Sequence, residues 1–576
     1  MANSSSEETK KVKSLRLWPG VAIVILQWLF WLFLQDIMPE ALAIGVFSGM
    51  IGWLAIIIWW AFFSRASVLE RWSAPLLMIV MIILTFFFLD ESISTAMMGM
   101  MFPVYVTPFL SLMFVIWAIT SPYLKGNIRH IAMVASIIFG CGVWIFLKTD
   151  GMTGDANQDL AWRWAETSEE RFLAQYDDDM LVIPEITILD TTLGEWPGFR
   201  GKDRDAIIRD VVINTDWTTA PPTEMWRRPI GPGISSFAVR GQLVYTQEQR
   251  GHQEMVTCYD MSTGKLVWKH SDNERFWDSH AGAGPRGTPT VVNDRLYTLG
   301  ATGILNVLNA TDGTAIWSRN AVSDTKVKIP EWGVSSSPLV VDSIVIVATV
   351  GKLAAYHINS SELMWVGPEG AESFSSPHLA EIDGIKQVLF MEGNGVISVS
   401  PNNGEKLWYY KWPPGVRIVQ PALTEDGDLL IGGGDMNGIR RVSVRKDDDI
   451  WNFEERWTSK KLKPYYNDFV VHKGNIIGFN GSRIVCLDVE SGERKWRGDS
   501  YGYGQLVLLA DQDALLIISE KGELVLAKAT SDKFEELGRL LAIEGKTWNH
   551  PVIVNDVLLV RNSQEMAAFR LPLDER

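Results

Sequence analysis

The sequence predicts two fold classes in one chain: an N-terminal all-α transmembrane bundle of five helices, followed by an all-β eight-bladed propeller. Three observations predict this. Residues 15 to 148 are an almost unbroken run of Leu, Ile, Val, Phe, Met and Trp, whereas everything after about 150 is polar and punctuated by Gly. A strand-turn-strand fragment, VTCYDMSTGKLVW (256 to 268), recurs along the second half at spacings of 39 to 49 residues, the period of a four-stranded blade. The last copy lacks its final strand and Trp, and a matching Trp stands ahead of the first copy.

Hydropathy places the five spans at 15 to 35, 42 to 63, 74 to 90, 100 to 120 and 129 to 147, each near the length that crosses a bilayer. Lys10, Lys11, Lys13 and Arg16 precede the first span, Arg65 and Arg71 follow the second, and Lys125 and Arg129 follow the fourth. The alternate loops carry Asp36, Glu40, Asp90 and Glu91. The positive-inside rule then puts the N-terminus in the cytoplasm and the chain in the inner (cytoplasmic) membrane as a multi-pass protein. The C-terminal half is exported, to the periplasm in a two-membraned cell. No span carries a central charge and the few polar residues are read as lying near the ends, so an ion pathway is not expected and an anchor in the lipid bilayer is.

Residues 149 to 194 read as a connector. DLAWRWAETSEERFLAQ (159 to 175) has a Thr-Ser-Glu-Glu start and near-helical apolar spacing, which predicts a short helix near the membrane surface. The acidic DDDMLVIPE after it reads as a linker. EWPGFRGKDRDA (195 to 206), at the start of the propeller segment 195 to 576, reads as a loop that folds back onto a larger body.

Copies of the fragment end at Trp268, Trp317, Trp365, Trp408, Trp457 and Trp496, and a degenerate one carries Leu537 in place of Trp. Units counted from Ile234, Arg286, Ser335, Phe374, Ile418, Tyr466, Tyr503 and Trp548 number eight. TEMWRRP, with Trp226, supplies the strand that completes the last unit and removes an exposed sheet edge. Within the fragment, Gly264 turns the chain with a positive φ, and Trp268 lies on the outer strand and packs against the neighbouring blade.

Composition narrows the function classes. A formal net charge of −15, with no basic run outside the first few residues, argues against a nucleic-acid surface. Three cysteines build no disulfide framework, and IGGGDMNG (431 to 438) lies between strands, so it is a turn and not a phosphate loop.

On the Asp-x-x-Thr-Gly-Lys-x-x-Trp repeat, with EWPGFRGKDRD and GPRGTPTVVNDRLYTLGATG (284 to 303), the second half resembles the pyrroloquinoline-quinone (PQQ) repeat propellers, the quinoprotein alcohol dehydrogenase-like family. The five-span anchor is similar to that of membrane-bound quinoprotein glucose dehydrogenase. The resemblance implies either a non-catalytic scaffold, like the propeller lipoprotein of the outer-membrane assembly machinery, or a PQQ- and calcium-dependent sugar or alcohol dehydrogenase passing electrons to membrane quinone. The chain departs from the dehydrogenases in lacking a Cys-Cys pair, a CxxCH motif, long insertions and an alignable calcium-ligand set. The expected partner is therefore an envelope protein or a small-molecule ligand.

Equivalent positions at the start of each unit are Ser236, Thr288, Ser337, Ser376, Gln420, Asp468, Gln505 and His550, all polar. They predict a solvated ring at a funnel mouth, or else a set of hydrogen bonders for inner-strand backbone. Flanking residues Arg286, Trp332, Tyr466, Asn467, Tyr503, Trp548 and Asn549 place a guanidinium, aromatic faces and amides near one opening. Arg286 suits a carboxylate, either of a ligand or of this chain, with Asp468 the candidate within the chain. Asp468 is the candidate general base should a quinone bind, and Arg286, Trp332, Asn467, Trp548 and His550 are the candidate cofactor contacts.

Overall fold

The computed structural model describes residues 15–37, 42–124, 126–154, 157–175, 194–434 and 437–574. Lys10, Lys11, Lys13, Glu40, Lys125 and the linker DDDMLVIPE lie outside them. The chain divides into two compact units, one of residues up to Met152 with Gln158–Ala165, the other of Thr153–Asn157 with everything from Glu166 on.

In the first unit all five apolar segments are helical: α1 (Trp18–Ile37), α2 (Leu42–Ile58, running on through a wider turn at Trp59–Phe63), α3 (Val68–Phe86), α4 (Met101–Thr120) and α5 (Asn127–Gly142). Three segments, Val68–Phe86, Met101–Tyr123 and Asn127–Phe146, are long and apolar enough to cross a membrane, and the apolar runs Trp18–Phe33 and Phe47–Phe63 are shorter. The third helix starts at Val68, six residues before the expected span, because Ser67 caps it by accepting the Glu70 N–H. Glu70 is itself buried and holds Arg129 at 2.9 Å.

One reading of the polar residues is corrected. Gln27 lies in the middle of α1 and is buried. Its Nε2 donates to Gly49 O at 2.6 Å and to Ser111 Oγ at 3.4 Å, tying α1 to α2 and α4. A polar group in an apolar interior persists only with such partners.

Residues 159 to 175 are also not one helix. Their first part is strand β2 (Gln158–Trp162), paired antiparallel with β1 (Leu147–Met152) with Leu147 opposite Trp162. Alternating Leu160, Trp162 and Trp164 satisfy a strand as well as a helix, and β1 decides between them. Only α6 (Ser168–Gln175) is helical. It starts at the predicted capping box: Thr167 N–H donates to Glu170 at 2.7 Å, and Glu170 N–H donates to Thr167 Oγ1 at 3.1 Å. Within the second unit, Glu169 of α6 accepts two bonds from Arg275, at 2.9 and 2.8 Å.

The described residues from 194 on form eight antiparallel blades. Blade 1 spans 238 to 272, blade 2 spans 290 to 320, blade 3 spans 339 to 366 and blade 4 spans 378 to 411. Blades 5 to 8 span 422 to 459, 470 to 500, 505 to 541 and 552 to 570. Two short strands, β3 (Glu195–Trp196) and β4 (Ile207–Ile208), add to the inner edges of blades 1 and 7. Closure is as the sequence predicts: β5 (Thr223–Pro229) pairs with 565–570, setting Trp226 opposite Ala568.

The recurrent Trp-Gly pattern has one mechanical meaning. Trp226, Trp268, Trp365 and Trp457 each lie over the turn glycine of the next blade and donate to a carbonyl of that turn. Trp226 Nε1 donates to Met261 O at 2.8 Å, and a Cβ on Gly264 (φ +64°) would stand 2.5 Å from its ring. Trp268 repeats this with Ala310 O at 3.1 Å over Gly313. Where the repeat degenerates, the packing changes. Trp408 turns back to Gln387 of its own blade, and Leu537 is joined by Trp217, whose side chain sits against Gly538.

Candidate functional site

The eight ring residues are all buried, and they do not face solvent. The N–H of Ser236 donates to Thr288 Oγ1 at 3.1 Å, that of Thr288 to Ser337 Oγ at 2.9 Å, that of Ser337 to Ser376 Oγ at 2.9 Å and that of Gln420 to Asp468 Oδ1 at 3.1 Å. Gln505 Nε2 bridges Tyr466 O and Trp548 O at 3.1 Å each, and Ser236 Oγ bonds His550 O, closing the circle between blades 8 and 1. An innermost strand has no further strand to pair with, so a side chain from the next blade takes its donor. Of the two roles that the sequence allows, the ring takes that of hydrogen bonders for inner-strand backbone, and the solvated mouth is not found there.

EWPGFRGKDRDA crosses the channel that this ring would enclose. β3 pairs with blade 1, and Val291 N–H of blade 2 donates to Pro197 O at 2.8 Å. Arg204 donates to Ser337 O at 3.3 Å and to Pro338 O on blade 3, and to Pro377 O on blade 4 at 2.8 Å. Arg200 donates to Phe469 O on blade 6 at 2.7 Å, β4 runs parallel to the inner strand of blade 7, and the rings of Trp196 and Phe199 lie 6.3 and 6.1 Å from that of His550 on blade 8. Both arginines have left-handed backbone, φ 61° and 55°. Sequence reasoning missed their role, because nothing in the residue types says that their donors end on carbonyls of three blades.

This segment decides the state of the candidate residues on its side. Asp468, 6% exposed, accepts the Gln420 N–H and stands 3.4 Å from Arg200 Nη1. Burial pushes its carboxyl up, opposed by Arg200 and by that N–H. His550, 5% exposed, donates Nδ1–H to Pro551 O at 2.8 Å, and burial, helped by the Arg200 charge, pushes it down to about 3. Arg204, which donates to the carbonyls of Ser337, Pro338 and Pro377, is lowered by burial to about 10.

Two residues earlier in each unit lies the half-buried layer of the opposite mouth, where the flanking candidates gather. Trp548 donates Nε1–H to Glu520 at 2.7 Å, lies 4.8 Å from Tyr466 and carries Lys546 Nζ 4.3 Å above its ring. Tyr466 stacks on Tyr503 at 5.6 Å. Lys546 also donates to His280 O at 3.1 Å, and the His280 ring lies 5.5 Å from Trp332, which is 5.0 Å from Phe374. The result is an aromatic arc from Phe374 to Tyr503, joined across Lys546. Asn467 and Asn549 sit beneath it, buried. Asn467 Oδ1 accepts Tyr465 N–H at 3.2 Å, and Asn549 Nδ2 donates to Gly233 O and Ser235 O at 3.1 and 2.8 Å.

Arg286 has a carboxylate partner within the chain, and it is Asp278, not Asp468. The guanidinium donates to Asp278, to Gly284 O and to Gly282 O at 2.8 Å, and lies 4.7 Å over Phe276. The Gly282-to-Gly284 loop brings Asp278, only 8 residues away, around to it.

These donors do not fit a quinone backed by calcium. Arg286 is committed to Asp278, and Asp468 is covered by Arg200 and Gln420. Among the described residues no group of three or more His, Cys, Asp or Glu converges as metal ligands. What the mouth does offer is a rigid, aromatic, partly exposed rim.

A family model described as outer membrane protein assembly factor BamB, built on the PQQ repeat, matches residues 214–374 and 331–534. A BamB of Shewanella oneidensis is 22% identical over 383 residues, covering 62% of this chain and 90% of its own. Among solved structures, BamB from Moraxella catarrhalis aligns at 14% identity and TM-score 0.46, over 62% of this chain and 99% of its own. Quinohemoprotein alcohol dehydrogenase from Comamonas testosteroni aligns at 12% identity and TM-score 0.47, over 66% and 81%.

Proposed function

This chain belongs to the PQQ-repeat propeller family described as outer membrane protein assembly factor BamB, and from that premise we propose that it is a membrane-anchored scaffold whose exported propeller binds a protein partner of the cell envelope. The observation that carries this reading is the commitment of Asp468 and Arg286 to partners within the chain, beside a rim of Trp332, Tyr466, Tyr503 and Trp548 that is not buried. Groups tied up in internal ion pairs hold shape; partly exposed aromatic side chains on a rigid ring are what protein partners anchor to. The five apolar helices serve as the anchor, with the N-terminus cytoplasmic and the propeller exported. The names of the relatives point to an outer-membrane assembly component as the partner.

The test is crosslinking of the full-length protein in intact envelopes, with Trp332→Ala and Tyr466→Ala variants beside the parent. Capture of one stoichiometric partner, reduced about tenfold by the variants, supports the reading. Tight binding of PQQ with calcium, together with dye reduction by sugars or alcohols that Asp468→Ala abolishes, would replace the scaffold by a dehydrogenase. Reporter fusions at both ends test the topology.

A further inference from the structure

The hairpin β1–β2 continues directly from α5 through a tight turn at Val143–Phe146. Its side chains divide by strand alternation. Arg163 lies on the face opposite the indoles: Nε donates to Asp90 at 3.2 Å, and Nη1 donates to Phe88 O at 3.3 Å and to Ile145 O at 3.0 Å, which ties the hairpin to the chain just after α3 and just after α5. Lys148 Nζ adds a bond to Ala165 O at 2.5 Å. Leu160, Trp162 and Trp164 point outward. Trp162 and Trp164 stack face to face at 5.1 Å and 6°, with Phe146 6.4 Å from Trp164.

None of these apolar groups is covered. Trp164 is 69% exposed and Trp162 47%, and Phe146, Phe87 and Phe88 are exposed beside them. The patch is continuous with the exposed apolar faces of α3 and α5, through Ile83, Leu84, Ile138 and Phe139. A stacked pair of indoles beside an arginine anchored to three groups of the helical unit, at the end of apolar helices, suits the chemistry of the headgroup boundary, where a flat apolar body and an N–H donor are both accommodated.

We propose that this hairpin is a lipid-binding element: the Trp162–Trp164 stack, with Phe146 and Leu160, seats in the headgroup region of the exported leaflet and fixes the depth of the helical unit. The proposal rests on the reading that the helices cross the membrane, and the test separates the two. Full-length Leu160→Cys and Ile131→Cys variants carry an environment-sensitive fluorophore; the native cysteines are buried. Each is reconstituted in phosphatidylcholine–phosphatidylglycerol vesicles with a nitroxide on the acyl chain either near the headgroup or near the chain end, and aqueous iodide serves as the third quencher. The expected result is roughly twofold stronger quenching at position 160 by the shallow nitroxide than by the deep one, with lipid quenching also at position 131, which lies on exposed α5 surface. Adding Trp162→Ser and Trp164→Ser should abolish lipid quenching at 160 and leave 131 unchanged. Quenching at 160 by iodide alone places the hairpin in water, and quenching by none of the three places it under protein; either overturns the proposal while lipid quenching at 131 keeps the spanning reading. Lipid quenching at neither position overturns both.

Discussion

Glu254 offers a sharp test of the energetics of the propeller. It is 4% exposed, lies directly across the strand pair from Asp272, and accepts the Ala301 N–H of the next blade at 2.7 Å. Asp272 and Glu274 add like charge, Arg286 opposes them, and Asn306 Nδ2 donates to Asp272 at 2.6 Å. Burial dominates and raises the Glu254 carboxyl from 4.5 to about 7. At about 1.4 kcal/mol per pKa unit this corresponds to roughly 3 kcal/mol. The sign follows from proton binding. Between pH 4.5 and about 7 the folded state holds the proton that the unfolded state has released, so stability falls as pH rises through that window. Glu254→Gln keeps an acceptor for Ala301 and removes the ionisation. The variant should therefore be more stable than the parent at pH 8, by up to about 3 kcal/mol and several degrees in Tm, and nearly equal at pH 5. Thermal unfolding of the full chain in detergent, followed across pH, measures this. An equal gain at both pH values, or a loss at pH 8, would refute the assignment.

His550 has the opposite sign. It stays neutral when folded down to about pH 3, so the parent should lose Tm as pH falls from 6.5, and His550→Gln should flatten that acid limb. Arg204→Met strands carbonyls of blades 3 and 4 and should cost at least about 3 kcal/mol in urea unfolding; a neutral result would mean that the crossing segment does not brace the ring. Gly264→Ala meets both a positive φ and the Trp226 ring and should cost about 2 kcal/mol, which a melt of the same protein reads directly.

How much of this was legible depends on whether a feature repeats. The blades, their glycine turns and the closure by TEMWRRP were readable because the same packing problem is solved several times, each solution leaving Gly and Trp at fixed spacing. The crossing segment is used once. Arg200 and Arg204 stand in a quoted motif, yet their partners are backbone carbonyls, which carry no sequence signal. The polar ring was readable as a set with two possible roles, and the sequence did not choose between them, because a serine that caps a neighbour's N–H and a serine that faces water are the same letter. The hairpin β1–β2 was hidden for another reason: three apolar residues at alternate positions beside a Thr-Ser-Glu-Glu start fit a helix until β1 is considered.

Because translation is vectorial, residues 194 to 209 leave the ribosome before any blade does. They then contact the inner ends of blades 1 to 4 and 6 to 8, so the ring is assembled about an axle already in place. A permuted chain that kept every blade intact but moved this segment to the far end would have to thread it through a finished ring. Its equilibrium stability would change little, while its folding would slow sharply.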